Sequence, residues 1–291
     1  MACALRLSCD SSNRRSPTRT LSKTMNQVYH RPDDYDLEHL GDDEDIYFYC
    51  RLSDRLQATR ILELGCGTGR ITLPLAEGGS RDERSITGID SAPAMLAAAQ
   101  NRLESAPPIV KDRTTLVQAE MQSWRADQPF DLILVPCASI THILALPDQI
   151  AMWRTAYDNL VPGGHFAVEV GMPDLGTFAD SFSRPPRLLM ETDLDVEDKD
   201  EKTRLLRHRT TQYLADEQRA SIRFMYEKLR DGRSIERYID DFQSHVYFPR
   251  ELELLFLHTG FELEAVYGDY RFRPLKSTSP LIIMVGKKPM S

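Results

Sequence analysis

Arg60-Ile61-Leu62-Glu63-Leu64-Gly65-Cys66-Gly67-Thr68-Gly69-Arg70 is the stretch that decides the fold. Ile61 to Leu64 is a short, nearly continuous apolar run, the pattern of a strand buried on both faces of a parallel sheet. A glycine loop follows at once, and Arg70 to Glu77 has helical spacing. Glycines let the backbone turn tightly and let a ligand approach the main chain. The helix behind the loop leaves its first N–H groups free. Ser85 to Ile89 reads as a second strand and closes on Asp90, 25 positions after Gly65. A carboxylate at that place accepts hydrogen bonds from both ribose hydroxyls. The spacing is G-x-G-x-G, not the G-x-G-x-x-G dinucleotide fingerprint. Loop and acid together read as an adenosine-binding site.

Outward from this unit the pattern repeats. Ser91 is an N-cap candidate for a helix from Pro93 to Glu104. Thr114 to Gln118, Phe130 to Val135 and His165 to Val170 read as further strands. Leu146 to Leu160 reads as a helix stopped by Pro162-Gly163-Gly164. Strands alternating with helices predict an α/β fold with a doubly wound, mostly parallel sheet. After Gly171 the rhythm changes. Arg204 to Leu214, Ala220 to Arg230 and Ile235 to Phe248 are strand-like, and Asp231-Gly232 is a hairpin turn signal. The acidic run from Glu191 to Glu201 is expected to be a solvated loop. Pro249 to Thr259 returns to helix, and Phe261 to Tyr267 and Leu281 to Val285 supply closing strands. The expected organisation is a disordered extension over 1–24, an N-terminal cap and binding core over 25–171, an antiparallel lid over 172–248, and the end of the core sheet over 249–291.

Composition sets the broader limits. The chain has 291 residues, 41% apolar and 27% charged, with formal net charge −8. That is ordinary globular usage with ample material for a core. An acidic balance argues against nucleic acid, because phosphate neutralisation needs basic residues, and equally against anionic membranes. No apolar run is long enough to span a bilayer. Five cysteines with no C-x-x-C pair fit a reducing, cytoplasmic location. The seven histidines show no metal-binding spacing, and no G-x-S-x-G elbow is present, so neither a metal site nor a serine hydrolase is expected.

Ile61 to Arg70 resembles the first motif of class I S-adenosylmethionine (SAM)-dependent methyltransferases. The likeness continues through Gly88-Ile89-Asp90-Ser91 with Met95, Ala119-Glu120-Met121, Phe130 to Leu134, and Leu160-Val161-Pro162-Gly163-Gly164-His165-Phe166. It implies a seven-stranded sheet of order 3-2-1-4-5-7-6 with only the last strand antiparallel. It also implies SAM as cofactor and S-adenosylhomocysteine as product. Carried over by position, Glu63 and Gly65, Cys66, Gly67, Thr68, Gly69 and Arg70 hold the methionine end. Asp90 takes the ribose, and Ser91 and Met95 flank the adenosine. Glu120, where the family often has Asp, and Met121 meet the purine, and Pro136, Cys137 and Ala138 pass beside the methionine. A tyrosine-bearing N-terminal helix closes over SAM in similar small-molecule enzymes, which points to Tyr35 and then Tyr29.

The reaction class implies in-line displacement, in which alignment does most of the work. His142, just after the fourth strand, is a candidate for positioning the acceptor or removing its proton. Glu169, near the end of the fifth strand, is a candidate for holding a cationic or N–H donor acceptor. Tyr35 completes the catalytic set. An enclosed pocket under the lid suits a small-molecule methyl acceptor, with Tyr29, His142, Glu169, His245, Tyr247, Arg271 and Arg273 as lining candidates. The resemblance is to the branch with sugar N-, glycine-type and natural-product methyltransferases, with N or C favoured over O as the methylated atom. Lids of this kind also contribute to homodimers. A non-catalytic SAM-binding regulatory subunit and an NAD-dependent oxidoreductase remain as alternatives at this point.

Overall fold

The computed structural model describes residues 27–78, 84–185 and 187–290. The expected extension over 1–24 lies outside them. A short turn, Gln27–His30, leads into α1 (Pro32–Glu38) and α2 (Glu44–Arg55). The core then runs β1 (Arg60–Leu64), α3 (Thr72–Glu77), β2 (Ser85–Asp90), α4 (Pro93–Ser105), α5 (Pro108–Arg113), β3 (Thr114–Gln118), β4 (Phe130–Val135), α6 (Leu146–Asp158) and β5 (Leu160–Gly171). A helix α7 (Leu175–Ser181) leads into β6 (Met190–Asp198), β7 (Thr203–Leu214), β8 (Arg219–Arg230) and β9 (Arg233–His245). The chain returns through α8 (Pro249–Thr259), β10 (Glu262–Tyr267) and β11 (Leu281–Lys287).

Seven strands form one sheet in the order β3-β2-β1-β4-β5-β11-β10. The β1, β2, β3, β4 and β5 pairings are parallel, and β11 runs antiparallel to both of its neighbours. This is the order that the resemblance implies. The central strands are apolar on both faces because each face is covered. Leu62, Ile133, Val135, Phe166 and Val168 pack against α6 and α8 around the fully buried Trp153. Ile61, Leu132, Leu134, Ala167 and Ile283 pack the other way, against Phe48 and Leu52 of α2 and Leu75 of α3. Each fully buried side chain of this type contributes roughly 1.5–3 kcal/mol. Gly88 is glycine for want of room, since a Cβ there would sit 2.9 Å from Cβ of Cys66.

The lid is a second, four-stranded antiparallel sheet, β6-β7-β8-β9. Its β8–β9 turn is Asp231-Gly232 at φ 49° and 73°, the doubly left-handed hairpin expected for that pair. The acidic run corrects the expectation of a loop, because its first part is strand β6. Glu191, Asp193, Asp195 and Glu197 alternate with Thr192, Leu194 and Val196, a period of two. Arg204, Arg207 and Arg209 of β7 pair with Asp195, Asp193 and Glu191 across the ladder. Leu194 and Val196 pack beneath the lid beside Leu205 and Tyr226. Among the described residues no helix is long and apolar enough to cross a membrane.

Candidate active site

The glycine loop leaves β1 with Gly65, Gly67 and Gly69 at φ 80°, 53° and 78°, conformations that L side chains rarely adopt. Its backbone is tied to β2, because the amides of Gly65 and Cys66 both donate to the Ile89 carbonyl. Asp90 then reaches back over the loop. Its Oδ2 accepts from the Gly67 amide and its Oδ1 from the Ala92 amide, each at 2.8 Å. Burial raises the Asp90 pKa, and the amides of Ala92 and Gly67 oppose that rise. A carboxylate has about four lone-pair sites, so Asp90 keeps capacity for a further donor. Met121 approaches Gly65 from the end of β3, Glu120 beside it is exposed, Ser91 is half-buried, and Met95 is buried in α4. A pinned carboxylate, a glycine cradle and an apolar methionine fit a nucleoside cofactor.

Glu63 points from β1 toward α3 and accepts the Thr72 hydroxyl. Burial pushes its pKa up to about 8, against the Thr72 hydrogen bond and the Arg70 charge. Cys66 turns inward beneath Gly88 and is buried. Arg70 pairs with Asp45 of α2 and lies 3.1 Å from the Cys137 sulfur.

Helix α1 touches both halves of the site. Tyr35 lies over the loop, 3.8 Å from where a Gly67 Cβ would stand. Asp36 accepts the Thr68 hydroxyl at 2.6 Å and pairs with Arg102 at 2.6 Å. Asp34 and Glu38 grip the lid instead. Asp34 is 3% exposed and accepts from Lys228 of β8 at 2.6 Å and from Tyr238 of β9 at 3.0 Å. Glu38 accepts from Arg207 of β7 at 2.6 Å.

Past β4 the chain turns sharply. Cys137 and Ala138 take φ values of 52° and 55° in succession. Left-handed backbone costs a non-glycine residue roughly 1–2 kcal/mol, so something must hold this turn. It delivers Ser139 against Gly65, where a Cβ would meet Ser139 at 2.9 Å. It also delivers the short turn Ser139–His142. His142 Nε2 lies 2.7 Å from the Tyr29 hydroxyl, with Phe242 of the lid 6.0 Å away, ring centre to ring centre. Burial lowers the His142 pKa to about 4, so the ring is neutral near pH 7. Burial first, then the charges of Asp90, Glu38, Cys137 and Asp240, raise that of Tyr29.

Not every expected residue gathers here. Both oxygens of Glu169 are taken, by the hydroxyls of Tyr49 and Tyr270, each at 2.7 Å. His245 and Tyr247 do not line the pocket, which corrects that expectation. Tyr247 is buried against Trp153 under α6, and His245 meets Tyr247 edge-on and bonds Glu251 of α8 at 2.9 Å. Strand β9 ends there, and side chains beyond it belong to the core. Arg271 also falls outside the pocket. It is exposed, pairs with Glu44 at 2.8 Å, and borders an outer cleft of about 530 Å³ beside α2. Arg273 is exposed and pairs with Asp269. Sequence reasoning missed Asp34, Glu38, Lys228 and Arg207. The acids clustered around Tyr35 were a visible signal, but their partners lie more than 160 positions away. Among the described residues no group of three or more His, Cys, Asp or Glu is placed to hold a metal ion.

Comparison with known proteins bears on this geometry. Residues 61–164 match the family described as a methyltransferase domain. The chain is 26% identical to the Bacillus subtilis methyltransferase YqeM over 212 residues, 72% of this chain and 76% of that protein. It is 35% identical to a trans-aconitate 2-methyltransferase of Streptomyces avermitilis over 111 residues, only 38% of this chain and 38% of that protein. The sugar N-methyltransferase KedS8 from a Streptoalloteichus species superposes with a TM-score of 0.66 at 18% identity, covering 98% of this chain and 99% of that one.

Proposed function

We propose that this chain, whose residues 61–164 match a methyltransferase domain, is a class I SAM-dependent methyltransferase whose acceptor is a small molecule methylated on an amine nitrogen. The observation that carries this reading is the half-buried Tyr29–His142 pair beneath the lid. Asp90, Glu38 and Asp240 lie near enough to act on the Tyr29 hydroxyl. Carboxylates around such a pair favour an amine and disfavour an anionic acceptor.

SAM, when bound, supplies a methyl group already activated on a sulfonium. The protein's part is to bind, align and exclude water. Asp90 holds the ribose, with Ser91, Met95, Glu120 and Met121 about the adenosine. Glu63, the loop from Gly65 to Gly69, Arg70 and the turn Pro136-Cys137-Ala138 frame the methionine end. Tyr35 closes the site from α1. The neutral His142 ring and the Tyr29 hydroxyl accept the acceptor's N–H, which points the nitrogen lone pair along the displacement line. The proton that the nitrogen sheds leaves to water, because the lowered His142 ring is a weak base and the Tyr29 hydroxyl keeps its own proton.

KedS8, by its description, methylates a sugar nitrogen. A trans-aconitate-like acceptor is the second reading, favoured by the Streptomyces avermitilis relative and opposed by the carboxylates around Tyr29. The residues over 172–248 then form the acceptor side, and 25–171 with 249–291 the cofactor side. The working form in this reading is a cytoplasmic enzyme, apart from nucleic acid and membranes, and a homodimer to which the lid contributes.

Methyl-labelled SAM offered with a panel of amino sugars, small amines and carboxylic acids tests this. Label is expected in an amine. His142→Ala and Tyr29→Phe together should lower kcat/KM for it by about 10²-fold, the scale of a small misplacement of the acceptor. Transfer to carboxylic acids with every amine inert would sink the proposal.

A further inference from the structure

We propose that Glu169 is a positioning residue whose buried carboxylate holds the left-handed turn Cys137-Ala138 and so seats the cofactor loop and the acceptor pair together. A carboxylate inside a parallel sheet is costly unless donors surround it, and this one accepts two tyrosine hydroxyls. Tyr49 arrives from α2 and Tyr270 from the segment after β10, each 2.7 Å from its own oxygen. The backbone N–H of Cys137 turns toward the same group. Strand pairing explains that approach. Val135 pairs with Val168, so the chain leaving β4 emerges beside Glu169 of β5.

What Glu169 holds is an unfavourable conformation. Cys137 and Ala138 are consecutive non-glycine residues at φ 52° and 55°, and no glycine in the turn eases them. Two things depend on it. Ser139 lies against Gly65 on the cofactor side, and His142 meets Tyr29 on the acceptor side. A carboxylate that touches neither ligand thus sets the spacing between them. The acceptor half of this inference rests on the amine reading above, and the cofactor half does not.

The test is suppression by glycine. Glu169→Gln keeps the size of the side chain but replaces one acceptor oxygen with a donor. The expected result is a loss in kcat of about 10²-fold, the scale of a small misplacement at a distance, with weaker SAM binding by calorimetry. Ala138→Gly, added to Glu169→Gln, supplies φ > 0 without steric cost and should restore about tenfold in kcat, and SAM affinity with it. A purely structural role would show a lowered melting temperature and no rescue by glycine. Should Glu169→Gln fail to fold, Tyr270→Phe removes one donor at a half-buried site and should show a smaller loss, again relieved by Ala138→Gly. Full activity in Glu169→Gln, or losses that Ala138→Gly leaves in place, would overturn the inference. Calorimetry without acceptor separates this failure from a wrong choice of acceptor.

Discussion

The two sheets of this protein are held together in opposite ways. The seven-stranded sheet buries both faces in apolar contact, and its middle strands are almost wholly inaccessible. The four-stranded lid has a small apolar cluster around Leu37, Leu205 and Tyr226 and a ladder of arginine–carboxylate pairs in solvent. Exposed pairs of this kind contribute about 0–1 kcal/mol each. The cofactor loop therefore stands on the rigid sheet, and the acceptor side on a sheet that opens at lower free energy. The short helix α1 between them binds one with Tyr35 and Asp36 and the other with Asp34 and Glu38.

Three experiments sharpen or break this contrast. The largest effect belongs to the rigid side. Asp90→Ala removes the pinned carboxylate and frees the Gly67 amide. Hydrogen bonds to a charged group contribute about 1.5–3 kcal/mol each, so SAM affinity by calorimetry should fall roughly 100-fold with the lid undisturbed. An unchanged affinity would mean that the cofactor is held elsewhere.

Next in size is the bolt between lid and α1. Lys228→Met leaves Asp34 buried with Tyr238 as its close hydrogen-bond donor and Arg31, at 3.6 Å, as its remaining cation. Removing one partner of a buried pair costs up to about 3–5 kcal/mol, and the part exposure of Lys228 reduces that here. Amide exchange in β8 and β9 should speed up by about tenfold, the size of a 1.4 kcal/mol loss, while β1 and β4 stay protected. Equal loss of protection in both sheets would show that they unfold as one unit.

The smallest effects are those of pH, and they differ in sign between regions. Glu63 is raised to about 8 from 4.5, so the folded state keeps a proton that the unfolded chain releases. Its contribution is present at low pH and is lost as pH rises from 4.5 toward 8. His142 is lowered to about 4 from 6.5, so its contribution is present above 6.5 and is lost as pH falls toward 4. The two oppose each other from 4.5 to 6.5, and between 6.5 and 8 only Glu63 acts. In the lid, the Arg204 and Arg223 partners hold Asp195 and Asp241 below the ordinary carboxylate value, so that ladder weakens only at acid pH. Thermal melts of the protein and of Glu63→Gln should differ in slope between pH 6.5 and 8. Parallel slopes would remove Glu63 from the account.

The core was readable because its information is local. Ile61 to Leu64, the glycines after it and Asp90 lie within 30 residues, and each strand carries its own apolar run. The lid was half readable for the same reason. Asp231-Gly232 declares a turn by itself, and β6 carried a period of two that its acidity obscured. Arginines on the neighbouring strand neutralise that acidity, and nothing in 191–201 names them.

Sequence alone determined the strands, the glycine loop with its acid, and the antiparallel character of the lid, while the order of the strands in the sheet came from the resemblance to methyltransferases. The first three follow from periodicity and turn chemistry within a short window, where adjacent residues share one backbone geometry. Tertiary structure alone decided which side chains meet. It sent His245 and Tyr247 into the core and Arg271 to the outer surface. It gave Glu169 to Tyr49 and Tyr270, and it joined Asp34 to Lys228 across 194 positions. Such partners are chosen by how elements pack, and the spacing of residues along the chain carries no record of that choice.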